Sequence, residues 1–386
     1  MNADVPTLRG GRDARPPEDG ADLKAQAVEA HPEPQAIARR RRPLAQRIYH
    51  SYVLRRLVRA VFVIWVVASG VFLLVRLLPG NPVEVYINQQ IALYGKSYDQ
   101  ASREALAYFR FDPSTPLWRQ YLDYLGGLLR GDLGTSIATP GVGVAEKIAE
   151  YLPWTLYSVG MALIISITVG LLLGMIMAYR RGGIIDHAVS IIGSGFHAIP
   201  NYLLAILIVV VGAVQLGVID YTRMRGNVSP GVSPELSFRF LSDIGYHATL
   251  PMITYILTTL GTWALIMKAS TTQVLGEDYV TVARARGLKD VRIQTNYVGR
   301  NALLPLIAQI ATQAGFIVGG AIFVEQTFSY RGVGLLLFES INSRDYPTIQ
   351  GVLLVVTITV VLANLAADLV NAALDPRIRL GEGGAA

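Results

Sequence analysis

Residues 156–179 read "LYSVGMALIISITVGLLLGMIMAY" and include no charged residue. A helix of this length extends about 36 Å, which exceeds the roughly 30 Å hydrocarbon core of a bilayer. The stretch therefore predicts a helix that crosses a membrane. The whole chain agrees, because 52% of its residues are hydrophobic and only 16% are charged, whereas about 25% are charged in soluble domains.

Five further stretches of similar composition predict an all-α polytopic membrane protein with six transmembrane helices. They belong to a membrane domain of residues 51–380. The preceding residues 1–50 are rich in Pro, Gly and charge and predict a largely disordered, basic cytoplasmic tail. The six predicted spans are about 57–78, 156–179, 188–215, 249–268, 305–324 and 348–373.

Lys and Arg concentrate in the segments on one side of these spans, which predicts that this side is cytoplasmic. Both termini and the loop 275–304 are then cytoplasmic, and the long loop 79–155 is on the outer side. The cluster Arg39–Arg42 fits either a solvated tail or a contact with anionic lipid. The other basic residues on this side are Arg180, Arg181, Arg284, Arg286, Lys289, Arg292, Arg300, Arg377 and Arg379.

The outer loop contains "PLWRQYLDYLGGLLRGDLGTS", residues 116–136, in which large apolar side chains recur at helical spacing. The pattern predicts an amphipathic helix that ends at Gly131. Its apolar face either packs against the bundle or the membrane interface, or forms a docking surface for an outside partner. The residues of that face are Trp118, Tyr121, Leu122, Leu125, Leu128 and Leu129.

The sequence excludes several kinds of chemistry. It has no cysteine and no nucleotide-binding G-x-x-x-x-G-K-[ST] motif, so we predict neither a thiol site nor nucleotide hydrolysis by this chain. The spans contain few ionisable residues, with only His197 and Asp368 well inside them. An ion-coupled carrier acting alone normally needs an intramembrane charge network. We therefore predict a protein that is not an enzyme, carries no cofactor or metal, and takes its energy from another chain.

The stretch "GSGFHAIPNY", residues 193–202, predicts a break in the third span. Gly193 and Gly195 permit close helix contact, and Pro200 interrupts the helix. His197 then either is a satisfied polar group at the break or belongs to a pathway through the membrane. His197, Pro200 and Asn201 are our candidates for the translocation pathway.

The loop 275–304 predicts two short helices at the cytoplasmic surface. Glu277 to Arg286 has acids in its first turn and arginines in its last, as the helix dipole favours, and Gly287 can end it. The next segment places Val291, Thr295 and Val298 on one face. The loop either presses into a groove of a separate protein or is an interfacial hairpin that merely connects two spans.

The pattern D-Y-x-x-x-A-R-A-x-G-L at 278–288 resembles the cytoplasmic coupling loop of ABC-importer permeases of the dipeptide/oligopeptide/nickel branch. Thr281 and Val282 stand where the broader permease pattern has an acid and an alanine, as in the peptide branch. Four other stretches resemble that branch, and together the resemblance covers residues 52–380. They are "LLPGNPV" at 77–83, "GDLGTS" at 131–136, "VEQTFSYRGVGLLLFESINSRDYPTIQG" at 324–351 and "LDPRIRL" at 374–380.

This resemblance implies a type I ABC-importer permease fold in the bacterial cytoplasmic (inner) membrane, in a protein that moves di- or oligopeptides. It also implies a second homologous permease chain, two ABC ATPases that hold ATP and Mg, and an extracytoplasmic solute-binding protein, but no nucleic acid. Glu325, Tyr330 and Arg331 would lie at the outer mouth, although that segment also fits a capped re-entrant turn. The ATPase-coupling helix would comprise Glu277, Asp278, Thr281, Ala283, Arg284, Ala285, Arg286 and Gly287.

Overall fold

A computed structural model of the chain describes residues 52–77, 82–108, 115–235, 237–303, 305–307, 309–310 and 322–374. All of them belong to the unit His50–Ala386. The predicted N-terminal tail lies outside the described residues. Within these ranges the fold is helical, and the one strand-like pairing is an isolated bridge between Thr135 and Gly143.

The named helices run in the following order. They are α1 Tyr52–Leu77, α2 Pro82–Tyr94, α3 Tyr98–Tyr108, α4 Leu117–Leu129, α5 Val144–Tyr179, α6 Ile184–Ala198, α7 Asn201–Leu207 with a π-helical continuation Ile208–Gln215, α8 Tyr221–Met224, α9 Phe238–Leu275, α10 Asp278–Ala285, α11 Asp290–Arg292 with a π-helical continuation Ile293–Gly299, α12 Ile322–Thr327, α13 Val333–Asn342 and α14 Tyr346–Leu374.

Among the described residues, four single helices are long and apolar enough to cross a membrane. Most of the predicted fifth span, 305–324, falls outside the described residues. The predicted third span is a pair of helices that meet at an angle of 100°. The four single candidate spans are Leu54–Val75, Val144–Tyr179, Phe238–Leu275 and Tyr346–Ala366.

Two of these helices are much longer than their predicted spans. Helix α5 begins at Val144 and contains Pro153, whereas α9 begins at Phe238 and contains Pro251. Ser237 caps α9, because its side chain accepts a hydrogen bond from the amide of Phe240 at 3.2 Å. The hydropathy pattern missed these extensions because it detects the apolar segment, and both helices continue through more polar sequence.

Glycines allow α5 to approach α9 closely. A Cβ on Gly170 would lie 2.6 Å from the Trp263 Cβ, and one on Gly174 would lie 2.7 Å from the Met267 Cβ. Two glycines four positions apart form the small-residue motif that brings membrane helices together. A hydrogen bond of 2.7 Å between the hydroxyls of Ser166 and Thr259 also joins these helices.

Helix α6 packs against α9 through a second glycine contact. A Cβ on Gly193 would lie 2.6 Å from the Gly261 Cα, so neither residue tolerates a side chain without moving a backbone. Helices α5, α6 and α9 consequently form one closely packed group, and this group reaches the loop in which the coupling helix was predicted.

Part of the outer loop forms a small apolar cluster. Helices α2 and α3 pack on each other there, on the C-terminal part of α1 and on the first residue of α14, Tyr346. The cluster therefore attaches this loop to α1 and to the first residue of α14. Its buried members are Val75, Val83, Tyr86, Ile87, Ala101, Ala105, Ile137 and Tyr346.

Candidate functional site

Helix α10 occupies the place predicted for the coupling helix. Glu277 precedes its first residue with an extended backbone (φ −77°, ψ 143°), and Arg286 follows its last. Gly287 has φ 72°, the left-handed conformation that ends a helix and that glycine adopts without a Cβ penalty. The prediction of a helix that Gly287 ends is confirmed.

The inner face of α10 is anchored in an apolar cluster of its own. Val280 and Ala283 are buried there together with Ile293 and Val298. Side chains from the last residues of α5 and α9 pack against the same cluster, among them Tyr179. The helix is thus attached directly to the ends of two long spans, and a force on it would act on both.

The side of α10 that faces away from the rest of the protein is charged. Of the eight predicted coupling residues all except Ala283 are exposed. Ala283, one of the predicted coupling residues, packs inward. Within the described part of the chain neither Arg284 nor Arg286 forms a salt bridge, which leaves both guanidinium groups available to acids of another protein.

The second half of the loop differs from the prediction. Val291 is exposed, so it does not share a buried face with Val298. The reason is the π-helical turn over Ile293–Gly299, in which residues five positions apart lie on the same side. Ile293 and Val298 accordingly both point into the cluster beneath α10. Sequence periodicity at the α-helical spacing could not reveal this change of register.

Helix α10 also bonds to the chain that returns toward the membrane. The Asn301 side-chain amide donates to the Tyr279 hydroxyl at 3.1 Å and to the Tyr297 carbonyl at 2.8 Å. Ser270 in α9 donates to the Ala302 carbonyl at 2.8 Å. These bonds join α10 to the returning chain and join the returning chain to α9.

The turn 324–335, on the side predicted to be the outer one and called here the outer turn, is built around the buried carboxylate of Glu325, which is fully enclosed. Its Oε1 accepts a hydrogen bond from Thr155 at 2.6 Å, and its Oε2 accepts from the amides of Gly334 at 2.8 Å and Leu335 at 3.1 Å. The Thr155 hydroxyl accepts from the Val333 amide at 2.8 Å. Glu325 and Thr155 therefore satisfy the first amides of α13, which lack partners within their own helix.

Of the three residues predicted at the outer mouth, only Arg331 is accessible. Tyr330 is buried like Glu325, and burial raises the pKa of its phenol above the ordinary value. Both are closed to a protein partner, contrary to expectation. Glu325 is buried because it caps α13, and Tyr330 is buried because it packs in an apolar cluster and donates a hydrogen bond to the Trp154 carbonyl at 3.3 Å. Local sequence does not reveal these long-range contacts.

The Arg331 guanidinium reaches the surface beside α5. It lies 5.4 Å from the ring centroid of Tyr151 and 3.5 Å from the Glu150 carboxylate. A hydrogen bond to the Tyr151 hydroxyl at 3.4 Å raises the pKa of the guanidinium. Asn227 holds the backbone of Arg331 through two hydrogen bonds, one to its amide and one to its carbonyl.

The residues predicted for the translocation pathway lie together at the 100° break between α6 and α7. Pro200 is the residue before α7 and Asn201 is its first residue. The His197 Nδ1 lies 3.0 Å from the Thr262 hydroxyl and 3.3 Å from the Thr258 carbonyl, both in α9. Asp368 in α14 forms an ion pair with Arg56 in α1. Asp368 and His197, the two ionisable residues predicted well inside the spans, therefore do not contact each other.

The sequence reasoning missed a second buried carboxylate, that of Asp345. It accepts hydrogen bonds from the Ser136 hydroxyl, from the Ile137 amide at 3.0 Å and from the Thr348 hydroxyl at 2.7 Å. The Lys147 ammonium is 3.6 Å away. A signal existed, because an Asp just before a helix that carries Pro in its first turn is typical of a helix N-terminus.

Comparison with known proteins gives a consistent result. The sequence model of a family described as "Binding-protein-dependent transport system inner membrane component" matches residues 170–380. A Brucella suis protein is 33% identical over 85% of this chain and 99% of its own length. A di/tripeptide transport system permease protein of Pseudomonas aeruginosa is 32% identical, and a dipeptide transport system permease protein of Escherichia coli is 30% identical. Each comparison covers 85% of this chain and 98% of the relative.

Proposed function

This chain belongs to the family of binding-protein-dependent transport system inner membrane components, and from that premise we propose that it is the permease subunit of an ATP-driven ABC importer for di- or oligopeptides. The relatives whose names specify peptides support this substrate class. In this proposal the chain crosses the bacterial inner membrane six times, with both termini in the cytoplasm and with residues 51–380 as its permease domain.

The single observation that carries the proposal is the construction of α10. This short helix has exposed arginines on one side and packs with its other side against an apolar cluster that includes the ends of α5 and α9. A loop that merely connected two spans would not need a rigid base beneath a charged surface. A helix that transmits movement needs both.

The mechanism we infer is alternating access by movement of packed groups of helices. Two ATPase subunits, which would hold ATP and Mg, change their separation and displace α10. Because α10 is attached to α5 and α9, and α9 to α6 through Gly193 and Gly261, the displacement tilts this group of helices. The ATPases shift the equilibrium only as far as they bind α10 differently in the two states.

The proposal includes two further partners. A second, homologous permease chain would complete the pathway beside the break that contains His197, Pro200 and Asn201. A solute-binding protein would deliver peptide at the outer mouth, where Arg331 is the accessible residue of the three expected there. Two buried carboxylates, Glu325 and Asp345, would keep that mouth in shape.

The decisive test is a double charge reversal on α10, Arg284→Glu with Arg286→Glu. The chain would be tagged, purified with its partners from its own bacterium, and assayed for co-purifying ATPase and for ATP-dependent uptake of labelled dipeptide. We expect uptake to fall at least tenfold while the amount of chain in the membrane stays constant. Arg223→Glu with Arg225→Glu is the matched control, because those arginines are also exposed and two positions apart.

Equal losses in both double variants would contradict the role of α10. The alternative function, a stand-alone carrier driven by an ion gradient, makes a different prediction. The purified chain alone in proteoliposomes would then accumulate peptide when a proton gradient is imposed without ATP. Accumulation under those conditions would overturn the proposal.

A further inference from the structure

Helix α4 of the outer loop lies against α1 at a depth that is unexpected for a loop. The Tyr121 hydroxyl and the Ser69 hydroxyl share a hydrogen bond of 2.6 Å. The Phe72 ring centroid lies 5.4 Å from that of Tyr121 and 5.3 Å from that of Tyr124. One face of α4 is therefore fixed to the middle of the second half of α1.

The position of this contact along α1 sets the depth of α4. Ser69 lies within the candidate span Leu54–Val75 and precedes the last residue of that span by six positions. At the rise of an α-helix this separation is about 9 Å. Because the hydrocarbon half of a bilayer is about 15 Å thick, α4 is held below the level at which α1 leaves the membrane.

Helix α4 has two exposed faces of opposite character. Trp118, Leu122 and Leu129 form an apolar face, and Leu129 is 90% exposed. Projected at 100° per residue, these three side chains fall within one narrow sector. Arg119 and Asp123, both exposed, fall in the adjacent sector. Helix α4 therefore has one side packed on α1, one exposed apolar side and one exposed polar side. This arrangement is typical of a helix that lies at the boundary between lipid and water.

We propose that α4 is a membrane-inserted interfacial helix, and that its Trp118–Leu122–Leu129 face contacts phospholipid acyl chains in the leaflet at the C-terminal end of α1. The exposed apolar side chains of α1 near that end, Leu73 and Leu74, continue the same lipid-facing surface. The outer loop is then anchored in the bilayer through α4. This role is independent of the substrate and of the coupling helix.

Lipid fits the apolar face better than a protein partner does. A protein interface core excludes charge, whereas here an Arg and an Asp border the apolar sector directly. Tryptophan is enriched at membrane–water boundaries, where its apolar body and its N–H face different surroundings. Water as the neighbour would leave three large apolar side chains exposed in a row, which soluble surfaces avoid.

The chain has no cysteine, so single spin labels can be placed without removing any native residue. Leu122→Cys and Leu129→Cys test the apolar face, and Asp123→Cys is the matched control on the polar face. Each variant is labelled with a nitroxide in the complete transporter in phospholipid vesicles. Power saturation then measures collision with oxygen, which dissolves in lipid, and with a neutral nickel chelate, which stays in water.

We expect labels at 122 and 129 to collide with oxygen several-fold more than with the nickel chelate, and the label at 123 to show the reverse. Low collision with both reagents at 122 and 129 would mean that a protein covers the face. High collision with the nickel chelate there would mean that water covers it. Either result would overturn the proposal.

An independent measurement uses the native Trp118. Vesicles of phospholipid brominated near the headgroup should quench more fluorescence of the wild-type transporter than of the Trp118→Phe transporter. Equal quenching of the two proteins would contradict lipid contact. Because Trp118 is exposed, its replacement should leave folding intact, which elution of the complex at the wild-type volume would verify.

Discussion

Thr155 and Glu325, separated by 170 positions, share a buried hydrogen bond of 2.6 Å that joins α5 to the outer turn. Thr155 also accepts a hydrogen bond from the amide of Val333, while Glu325 accepts hydrogen bonds from the amides of Gly334 and Leu335. The N-terminus of α13 is therefore capped by side chains from two other elements. A Cβ on Gly332 would overlap the Glu325 carboxylate, and a Cβ on Gly334 would lie 2.5 Å from the Ile322 Cα.

Removing this carboxylate should destabilise the permease. Glu325→Ala leaves two backbone amides and a hydroxyl without acceptors, and each unsatisfied buried group costs about 1–3 kcal/mol. Glu325→Gln retains one acceptor oxygen, so we expect an intermediate loss. The thermal midpoint of the purified transporter measures the effect. Glu339→Ala, at an exposed position of α13, should leave it unchanged. Equal midpoints for Glu325→Ala and Glu339→Ala would refute the capping role.

Asp345 should hold the outer segment around Ser136 against α14. Its replacement by Ala removes four hydrogen bonds and leaves the largely buried Lys147 without its countercharge. Breaking a buried ion pair costs about 3–5 kcal/mol. We expect faster proteolytic cleavage between residues 131 and 142. The exposed Asp99→Ala variant is the control, and cleavage at the same rate in both would contradict the prediction.

The contact between α6 and α9 should not tolerate a methyl group. A Cβ on Gly193 would meet the backbone of Gly261, so Gly193→Ala must separate two helices, and overpacking costs about 1–3 kcal/mol. Gly195→Ala is two positions away and meets nothing within 4 Å. The expected result is a lower thermal midpoint for Gly193→Ala alone. Because Ala favours a helix more than Gly does, Gly195→Ala should not lower the midpoint, and a similar decrease there would contradict the role of the contact.

The conformation of Gly287 should matter for coupling. A Cβ added to Gly287 would have no atom within 4 Å, so a side chain there does not clash. The only cost is that of the positive φ, which is about 1–2 kcal/mol for a residue with a Cβ. Gly287→Ala and Gly287→Val should lower ATP-dependent uptake, with valine worse, while Gly287→Asn should retain more activity because Asn tolerates this region. Gly276→Ala, where φ is −83°, is the control and should transport normally. An uptake rate for Gly287→Val that matches wild type would contradict the assignment.

The features that could be predicted from the sequence depend on local patterns. The apolar runs located four spanning helices and the third span with its break at Pro200, and glycines marked the ends of α4 and α10. Hydropathy follows directly from composition, and positive φ follows from the absence of a Cβ. These properties need no knowledge of what packs against the segment.

The features that could not be predicted depend on distant partners. Ala283, predicted to be a coupling residue, is buried because it packs in a cluster with Ile293, which belongs to a π-helical turn. Glu325 was expected at the surface and is buried because α13 needs a cap from outside its own sequence. Charge alone suggested exposure in the second case. A buried carboxylate becomes recognisable only when its donors are known.

The Gly193–Gly261 contact also constrains which genetic changes can compensate for one another. When a small residue in an ordinary interface is replaced by a larger one, a second-site suppressor often replaces the residue opposite with a smaller one. Here the residue opposite is already glycine, so that route is closed from both sides. Suppressors of Gly193→Ala should therefore appear at other positions, in residues that let α6 rest farther from α9.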